Sequence, residues 1–564
     1  MASMSKTLQN ISRNILTILL LSQATSCITI AAPDSLGAVS SESKICSEIG
    51  IGLLERGGNA ADAMVGTTLC VGVIGMQHSG IGGGGFMLVR GSDGTYESID
   101  FRETAPEAAF QDMYKDNPIA SVFSGLASGV PGDLRGLEYL HNKYGALPWR
   151  AVCNPAVHVA RYGFPVTEDL VRYMDVATED GNTFLTDDPQ FAMDFAPNGT
   201  LLGLGDILTR KRYANTLEAI AKHGAKAFYE GDIAKHTINA LRASNGTMTL
   251  SDLANYRVSI RPALNITYKG YNLYSCGVPS GGSVALSILK IIEGYSSTDL
   301  NLSTHRLNEA MRFSFAARSE LGDPDFYDYM TAFEADMLKP KTVEKIRRRI
   351  SDDFTKNVTD YSEKGYSMPE NHGTSHIVTS DRSGLSITLT STVNLLFGSQ
   401  LVVPETGVIM NNEMNDFSIP GIRNAFGFIP SPINYIAPFK RPLSSVSPII
   451  VTHPNGTLYL TIGAAGGSRI ITATVQAIWH VLDHNMTLPQ ALKELRIHDQ
   501  LVPATTLFEM GFDEGIVESM RGRGHNVTFM RPGLSSVQGV RRLWNGTFEA
   551  ASEPRQLNSG GLAV

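Results

Sequence analysis

Cysteine is scarce in this chain, with five in 564 residues. A disulfide framework therefore cannot be what holds a protein of this size together, and the fold must rest on a buried core. There is no CxxC and no Cys/His cluster, so no metal centre is expected. His78, His372 and His376 lack ligand spacing and read as hydrogen-bonding or surface histidines. Charged residues make up only 18%, the net charge is -8, and no long basic block occurs. Nucleic-acid binding loses its electrostatic footing. Beyond the N-terminus no long apolar run appears, which excludes a second membrane span. The run Gly82-Gly83-Gly84-Gly85 does not sit in a GxxxxGK[ST] or GxGxxG pattern opening a helix. It reads as close backbone packing in a turn and not as a phosphate loop.

What is present is a hydrophobic content of 43%, enough for a large core in one layered domain or several smaller ones. Lys6 and Arg13 precede an uncharged stretch from Ile15 to Ala32. This is a secretory leader in pattern, and residues 1–32 are assigned to it. Two outcomes stay open: cleavage after Ala24-Thr25-Ser26, giving a secreted protein, or retention as an N-terminal anchor on the extracellular face of the plasma membrane. Nine Asn-x-Ser/Thr sequons follow, at Asn198, Asn245, Asn265, Asn301, Asn357, Asn455, Asn485, Asn526 and Asn545. So many sites suit a glycosylated surface.

Residues 43 to 74 read as two helices broken at Gly57-Gly58, a hairpin able to bring Cys46 and Cys70 together. Strands follow at Phe86–Arg90 and Tyr96–Asp100. Residues 130 to 350 are mostly helical in pattern, as in Asp133–Lys143 and Thr304–Leu321. A loop rich in charge and turn residues covers 351 to 373. The texture then changes. Thr374–Thr379 and Leu385–Thr392 alternate β-formers around Asp381-Arg382-Ser383-Gly384, which predicts a hairpin. Val446–Thr452 and Leu458–Ile462 predict strands, Gly463 to Gly467 a loop, and Arg469 to Leu482 a helix. Strands in both halves with helices beside them point to layered sheets covered by helices.

The hairpin register sets Thr374 opposite Ser391 or Thr392, two hydroxyls at the open end of two strands. Alone, this says only that threonine is a good strand former. Its neighbours add meaning. Asn394, Asn411-Asn412-Glu413-Met414-Asn415-Asp416, Arg441-Pro442-Leu443-Ser444-Ser445 and Gly463-Ala464-Ala465-Gly466-Gly467-Ser468 follow in order. Asp100-Phe101-Arg102-Glu103-Thr104-Ala105-Pro106 and Val130-Pro131-Gly132 precede it. In order and spacing these motifs resemble the γ-glutamyltransferases, of the N-terminal-nucleophile hydrolase type, from about Cys46 onward.

The resemblance implies an α+β fold, a four-layer αββα sandwich assembled from two chains after self-cleavage between Gly373 and Thr374. The large subunit would span 33–373 and the small catalytic subunit 374–564. It implies that Thr374 is the nucleophile, with Thr392 hydrogen-bonded to it and Gly466 and Gly467 forming the oxyanion hole. A threonine hydroxyl needs a base, and the new α-amine of Thr374 would supply one without a cofactor. Arg102, Ser444 and Ser445 would take the α-carboxylate of a γ-glutamyl group. Asn394, Glu413 and Asp416 would take its ammonium. Expected substrates are glutathione, its S-conjugates and other γ-glutamyl compounds, with water, amino acids or dipeptides as acceptors. Cys46 and Cys70 keep the family's disulfide spacing. Leu396 and Phe439 depart from some members and are expected near the pocket mouth.

Overall fold

The computed structural model describes residues 35–296, 299–362, 364, 366–367, 373–422 and 429–564. The leader assigned to 1–32, with Cys27, and His372 lie outside these residues. Among the described residues no helix is long and apolar enough to cross a membrane.

Two antiparallel sheets form the centre. One has seven strands in the order Gly560–Ala563, Gly37–Ser41, Ser375–Asp381, Ser386–Thr392, Gly84–Arg90, Tyr96–Phe101 and Ser259–Arg261. The other has six: Phe548–Ala551, Ser536–Arg542, Leu458–Ala465, Ile449–Thr452, Tyr271–Ser275 and Leu264–Tyr268. The helices Lys44–Glu55 and Ala60–Ile74 pack on the outer face of the first sheet, and Gly282–Glu293 and Arg469–Asp483 cover the second. The result is the expected αββα sandwich.

The central hairpin shows why alternation matters. Ile377, Ile387 and Leu389 point into the apolar layer shared with the helices Lys44–Glu55 and Ala60–Ile74. The alternate residues face the second sheet and, apart from Val378, which packs on Val540 and Phe548, carry polar groups. There Ser386 Oγ meets Thr461 Oγ1 at 2.6 Å and Thr388 Oγ1 donates to Ile462 O at 3.3 Å. The His376 ring is held by Thr390 at 2.8 Å and Thr388 at 2.9 Å. Burial pushes that imidazole down to about 3, so it stays neutral. Gly463 makes room for it, since a Cβ there would lie 2.3 Å from the ring. His376 and His78 are thus buried and hydrogen-bonded, not surface residues.

The glycine run is where backbones close up. A Cβ on Gly83 or Gly85 would lie 1.9 Å from the carbonyl oxygens of Thr392 and Thr390. Five strands were not anticipated in the stretch read as mostly helical: the two-residue Phe164–Pro165 and Ile207–Leu208, then Ser259–Arg261, Leu264–Tyr268 and Tyr271–Ser275. The last two close on Lys269-Gly270, both at positive φ, and only Ile266 and Tyr268 of the first are buried, so the pattern is short and weak. The strand predicted from Val446 begins at Ile449, because Pro448 has no N–H to give a ladder. Its partner runs past Ile462 to Ala465, making Gly463, Ala464 and Ala465 strand and not loop.

Cys46 and Cys70 are bonded, with Cα atoms 5.3 Å apart, joining the two outer helices. Cys153 and Cys276 are buried thiols. Peptide mapping without reduction should recover Cys46 and Cys70 linked. Replacing both by serine should cost about 2–4 kcal/mol of stability, as closure of a loop of this length contributes about 3 kcal/mol. Alkylation of both thiols in the native protein would contradict this.

Candidate active site

The hairpin register decides where the first hydroxyls meet. Ser375 pairs with Ser391, so continuing by one residue sets Thr374 against Thr392. Thr374 Oγ1 lies in direct hydrogen-bond contact with Gly373 O, and Thr392 Oγ1 donates to the same oxygen at 2.7 Å. The amide of Asn394 donates to Thr392 Oγ1 at 2.8 Å. That amide occupies a lone pair and leaves the Thr392 proton for the Gly373 carbonyl. The carbonyl before Thr374 is therefore polarised by one hydroxyl and touched by another. No side chain fits at Gly373, where a Cβ would lie 2.3 Å from Asn394 O.

Thr374 opens onto a cavity of about 690 Å³. Gly466 lines it, between the strand Leu458–Ala465 and the helix Arg469–Asp483. Gly466 and Gly467 have φ of 120° and 62°, a left-handed pair that turns the chain sharply into the helix. The helix N-terminus and its amides gather at that turn. Phe123, Val176, Leu396 and Leu534 make the cavity wall largely apolar, with Arg531 at its edge. Leu396 lies at this cavity as expected. Phe439 does not: it is exposed, outside the described lining, with its amide on Ala105 O at 2.9 Å.

Arg102 follows the strand Tyr96–Phe101 and is fully buried. Glu413 and Asp416 lie on one short 3₁₀ turn, and Arg102 makes a direct ion pair with each. The three residues converge as the resemblance implied, with Arg102 committed to both carboxyl groups. Burial drives the Glu413 carboxyl well above the usual range, opposed by Arg102. Asn394, at φ 75°, ties this cluster to Thr392: its Nδ2 donates to Asn412 O at 3.0 Å, next to Glu413. Its Oδ1 has no partner among the described residues. Ser444 Oγ accepts from the amide of Val446 at 3.2 Å, and Ser445 Oγ accepts from Arg318 at 2.9 Å.

Three further buried groups stand here that sequence analysis gave no role, Glu103 among them although it lies within a quoted motif. Glu103 sits beside Arg102, raised by its burial. Arg318 ends the helix Leu300–Arg318. Asp133 accepts from Ser391 Oγ at 2.8 Å, next to Thr392, and burial pushes it up to about 7. An acid raised on folding stabilises the protein below its unfolded pKa, and that contribution is lost as pH rises through the folded one. The melting temperature should therefore fall between about pH 4 and pH 7 and level off above. Asp133→Asn keeps the Ser391 contact and should flatten the fall, by about 2–4 kcal/mol at pH 8. Parallel profiles in scanning calorimetry would show that Asp133 does not titrate there.

A second polar cluster lies away from Thr374. His305, Glu309 and His525 converge with ligand-type atoms. His305 Nδ1 and His525 Nε2 bond directly at 2.8 Å, His305 Nε2 donates to Ser351 O at 2.7 Å, and Glu309 accepts from Thr355 and Tyr361. The two imidazole nitrogens are each other's partners, and the cluster reads as a closed hydrogen-bond chain.

Residues 46–562 match the family model described as gamma-glutamyltranspeptidase. The chain is 53% identical over 544 residues to a glutathione hydrolase proenzyme of Arthroderma benhamiae, covering 94% of this chain and 93% of that one. Among solved structures it is similar to the gamma-glutamyltranspeptidase of Helicobacter pylori, with a TM-score of 0.53 and 31% identity over 56% of this chain and 92% of that one. It shares its fold with a cephalosporin acylase of Bacillus halodurans, with a TM-score of 0.82 and 24% identity over 96% and 98%.

Proposed function

Because this chain belongs to the γ-glutamyltranspeptidase family, we propose that it takes the γ-glutamyl group from glutathione, glutathione S-conjugates and related compounds. It passes that group to water, amino acids or dipeptides. One observation carries the reading: Thr374 and Thr392 meet at the Gly373 carbonyl, tied through Asn394 to the sealed Arg102–Glu413–Asp416 cluster.

Maturation comes first. Thr374 Oγ1 attacks the Gly373 carbonyl, an N-to-O shift gives an ester, and water splits it. The products are the large subunit ending at Gly373 and the small subunit from Thr374 to Val564. The freed α-amine, titrating near about 8, then acts as base for the same hydroxyl. A substrate's γ-carbonyl carbon is attacked, and its oxygen turns to the Gly466-Gly467 amides. Such a donor is worth roughly 3–4 kcal/mol of barrier. The α-carboxylate and ammonium occupy the polar cluster, and the leaving amine lies in the apolar cavity toward Leu396 and Leu534. Water or an amine resolves the ester.

The protein works outside the cell, secreted or held by its N-terminal segment. The sequons support a glycosylated surface, since every one has its asparagine exposed apart from the half-buried Asn301.

The test compares two anilides. A γ-glutamyl anilide should be cleaved, with a dipeptide acceptor increasing turnover and yielding a γ-glutamyl dipeptide. A glutaryl anilide, which lacks the α-amine, should be poor by roughly ten- to a hundredfold in kcat/KM, the worth of one charged hydrogen bond. Equal rates on the two would reject the γ-glutamyl reading and favour a general acylase.

A further inference from the structure

Recognition of a buried α-carboxylate raises a problem of supply. Both terminal nitrogens of Arg102 are taken by Glu413 and Asp416, and its Nε reaches Pro442 O only at 3.5 Å. A substrate carboxylate entering beside the Glu413 and Asp416 carboxyl groups meets only one cation, and that one is already committed. Carrying an anion out of water into such a place needs further positive charge and donors.

Arg318 is placed to provide both. It is the last residue of the helix Leu300–Arg318, where the helix carbonyls favour a cation. It is 5% exposed. Among the described residues its Nη2 donates to Ser445 Oγ at 2.9 Å, its Nε has no hydrogen-bond partner, and it forms no ion pair. Asp416 and Arg102 both lie close enough to act on it electrostatically. Burial moves its guanidinium down to about 10, so it remains a cation at neutral pH.

The direction of the Arg318–Ser445 bond matters. A guanidinium has only donors, so Ser445 Oγ must accept. Its one proton is then released from local use and is available to an incoming acceptor. The Ser444-Ser445 segment is held against the chain at Pro279–Gly281: the Ser444 amide donates to Pro279 O at 2.8 Å, and a Cβ on Gly281 would lie 2.8 Å from Ser445 O. Ser444 is held likewise, its Oγ accepting from the Val446 amide. Both hydroxyls are thus oriented as donors before substrate arrives, one by a backbone amide and one by a buried cation.

We propose that Arg318 is a positioning residue for γ-glutamyl recognition: it fixes Ser445 as a hydrogen-bond donor toward the substrate's α-carboxylate and supplies the positive charge that Arg102 has already committed. The proposal rests on the γ-glutamyl reading above.

Two anilides test it, γ-glutamyl and γ-aminobutyryl, the second keeping the amine and lacking the carboxylate. In the parent protein the first should be strongly preferred. Arg318→Met should be fully processed, raise KM for γ-glutamyl anilide about tenfold with little change in kcat, and lower the preference by a similar factor. Arg318→Lys should restore part of it. In a Ser445→Ala background, Arg318→Met should add much less than it does alone. Equal losses on both substrates, or additive effects of the two substitutions, would mean that Arg318 only supports the fold and would overturn the proposal. So would an unchanged KM. If the Met variant is not processed, the Lys variant read on the same two substrates decides by the same criteria. A parent protein with no preference between the anilides would instead overturn the γ-glutamyl reading itself.

Discussion

Thr374→Ala should remain a single chain on a denaturing gel, while the parent protein gives two, the smaller beginning Thr-Ser-His. The expectation follows from the geometry at one carbonyl. Gly373 O accepts from Thr392 at 2.7 Å and lies in contact with Thr374 Oγ1. Alanine removes the attacking oxygen and leaves Thr392 and the strand pairing intact, so the protein should fold and stay whole. Activity on γ-glutamyl anilide should be lost entirely, because the same oxygen and the α-amine released by cleavage are both needed afterwards. Thr374→Ser keeps the hydroxyl and should still be processed. Normal processing of the alanine variant would remove Thr374 from the role of nucleophile in maturation.

Replacing one charged partner of the glutamyl cluster should separate maturation from turnover. Arg102→Lys keeps a charge and loses the planar fork that reaches Glu413 and Asp416 together. Asp416→Asn removes a charge at nearly constant shape. Each should lower kcat/KM on γ-glutamyl anilide roughly ten- to a hundredfold. Self-cleavage involves no glutamate and should proceed. It also reports folding, which is needed here because breaking a buried ion pair costs about 3–5 kcal/mol. Two fully processed variants with near-normal kcat/KM would refute the assignment of this cluster to the substrate.

Much of the site was legible because its parts are local. The Thr374–Thr392 pairing follows from a four-residue turn and a period of two, and the structure chooses Thr392 over Ser391 by one step of register. Glu413 and Asp416 stand three apart, which a single 3₁₀ turn converts into convergence on Arg102. The helical hairpin read around Gly57-Gly58 allowed Cys46 and Cys70 to meet, the resemblance implied their pairing, and they are bonded. Other parts had no local signal. Arg318 is one more arginine at a helix end, and Asp133 one more acid in a first turn. The strands near residue 265 were hidden by half-exposed faces. Leu396 and Phe439 looked equivalent in sequence, and only Leu396 lies along the cavity.

The sequence by itself determined the hairpin, the glycines that no side chain can replace and the order of the reacting motifs, since each depends on near neighbours and on backbone geometry. Tertiary structure alone decided which strands lie beside the nucleophile, with Gly37–Ser41 against one side of Ser375–Asp381 and Gly560–Ala563 beyond it. It also decided that Arg102 meets Glu413 and Asp416, and that Arg318 meets Ser445. Those contacts join residues more than a hundred positions apart. Their energy comes from charges that only become expensive, and therefore selective, once the two sheets and their helices have closed water out.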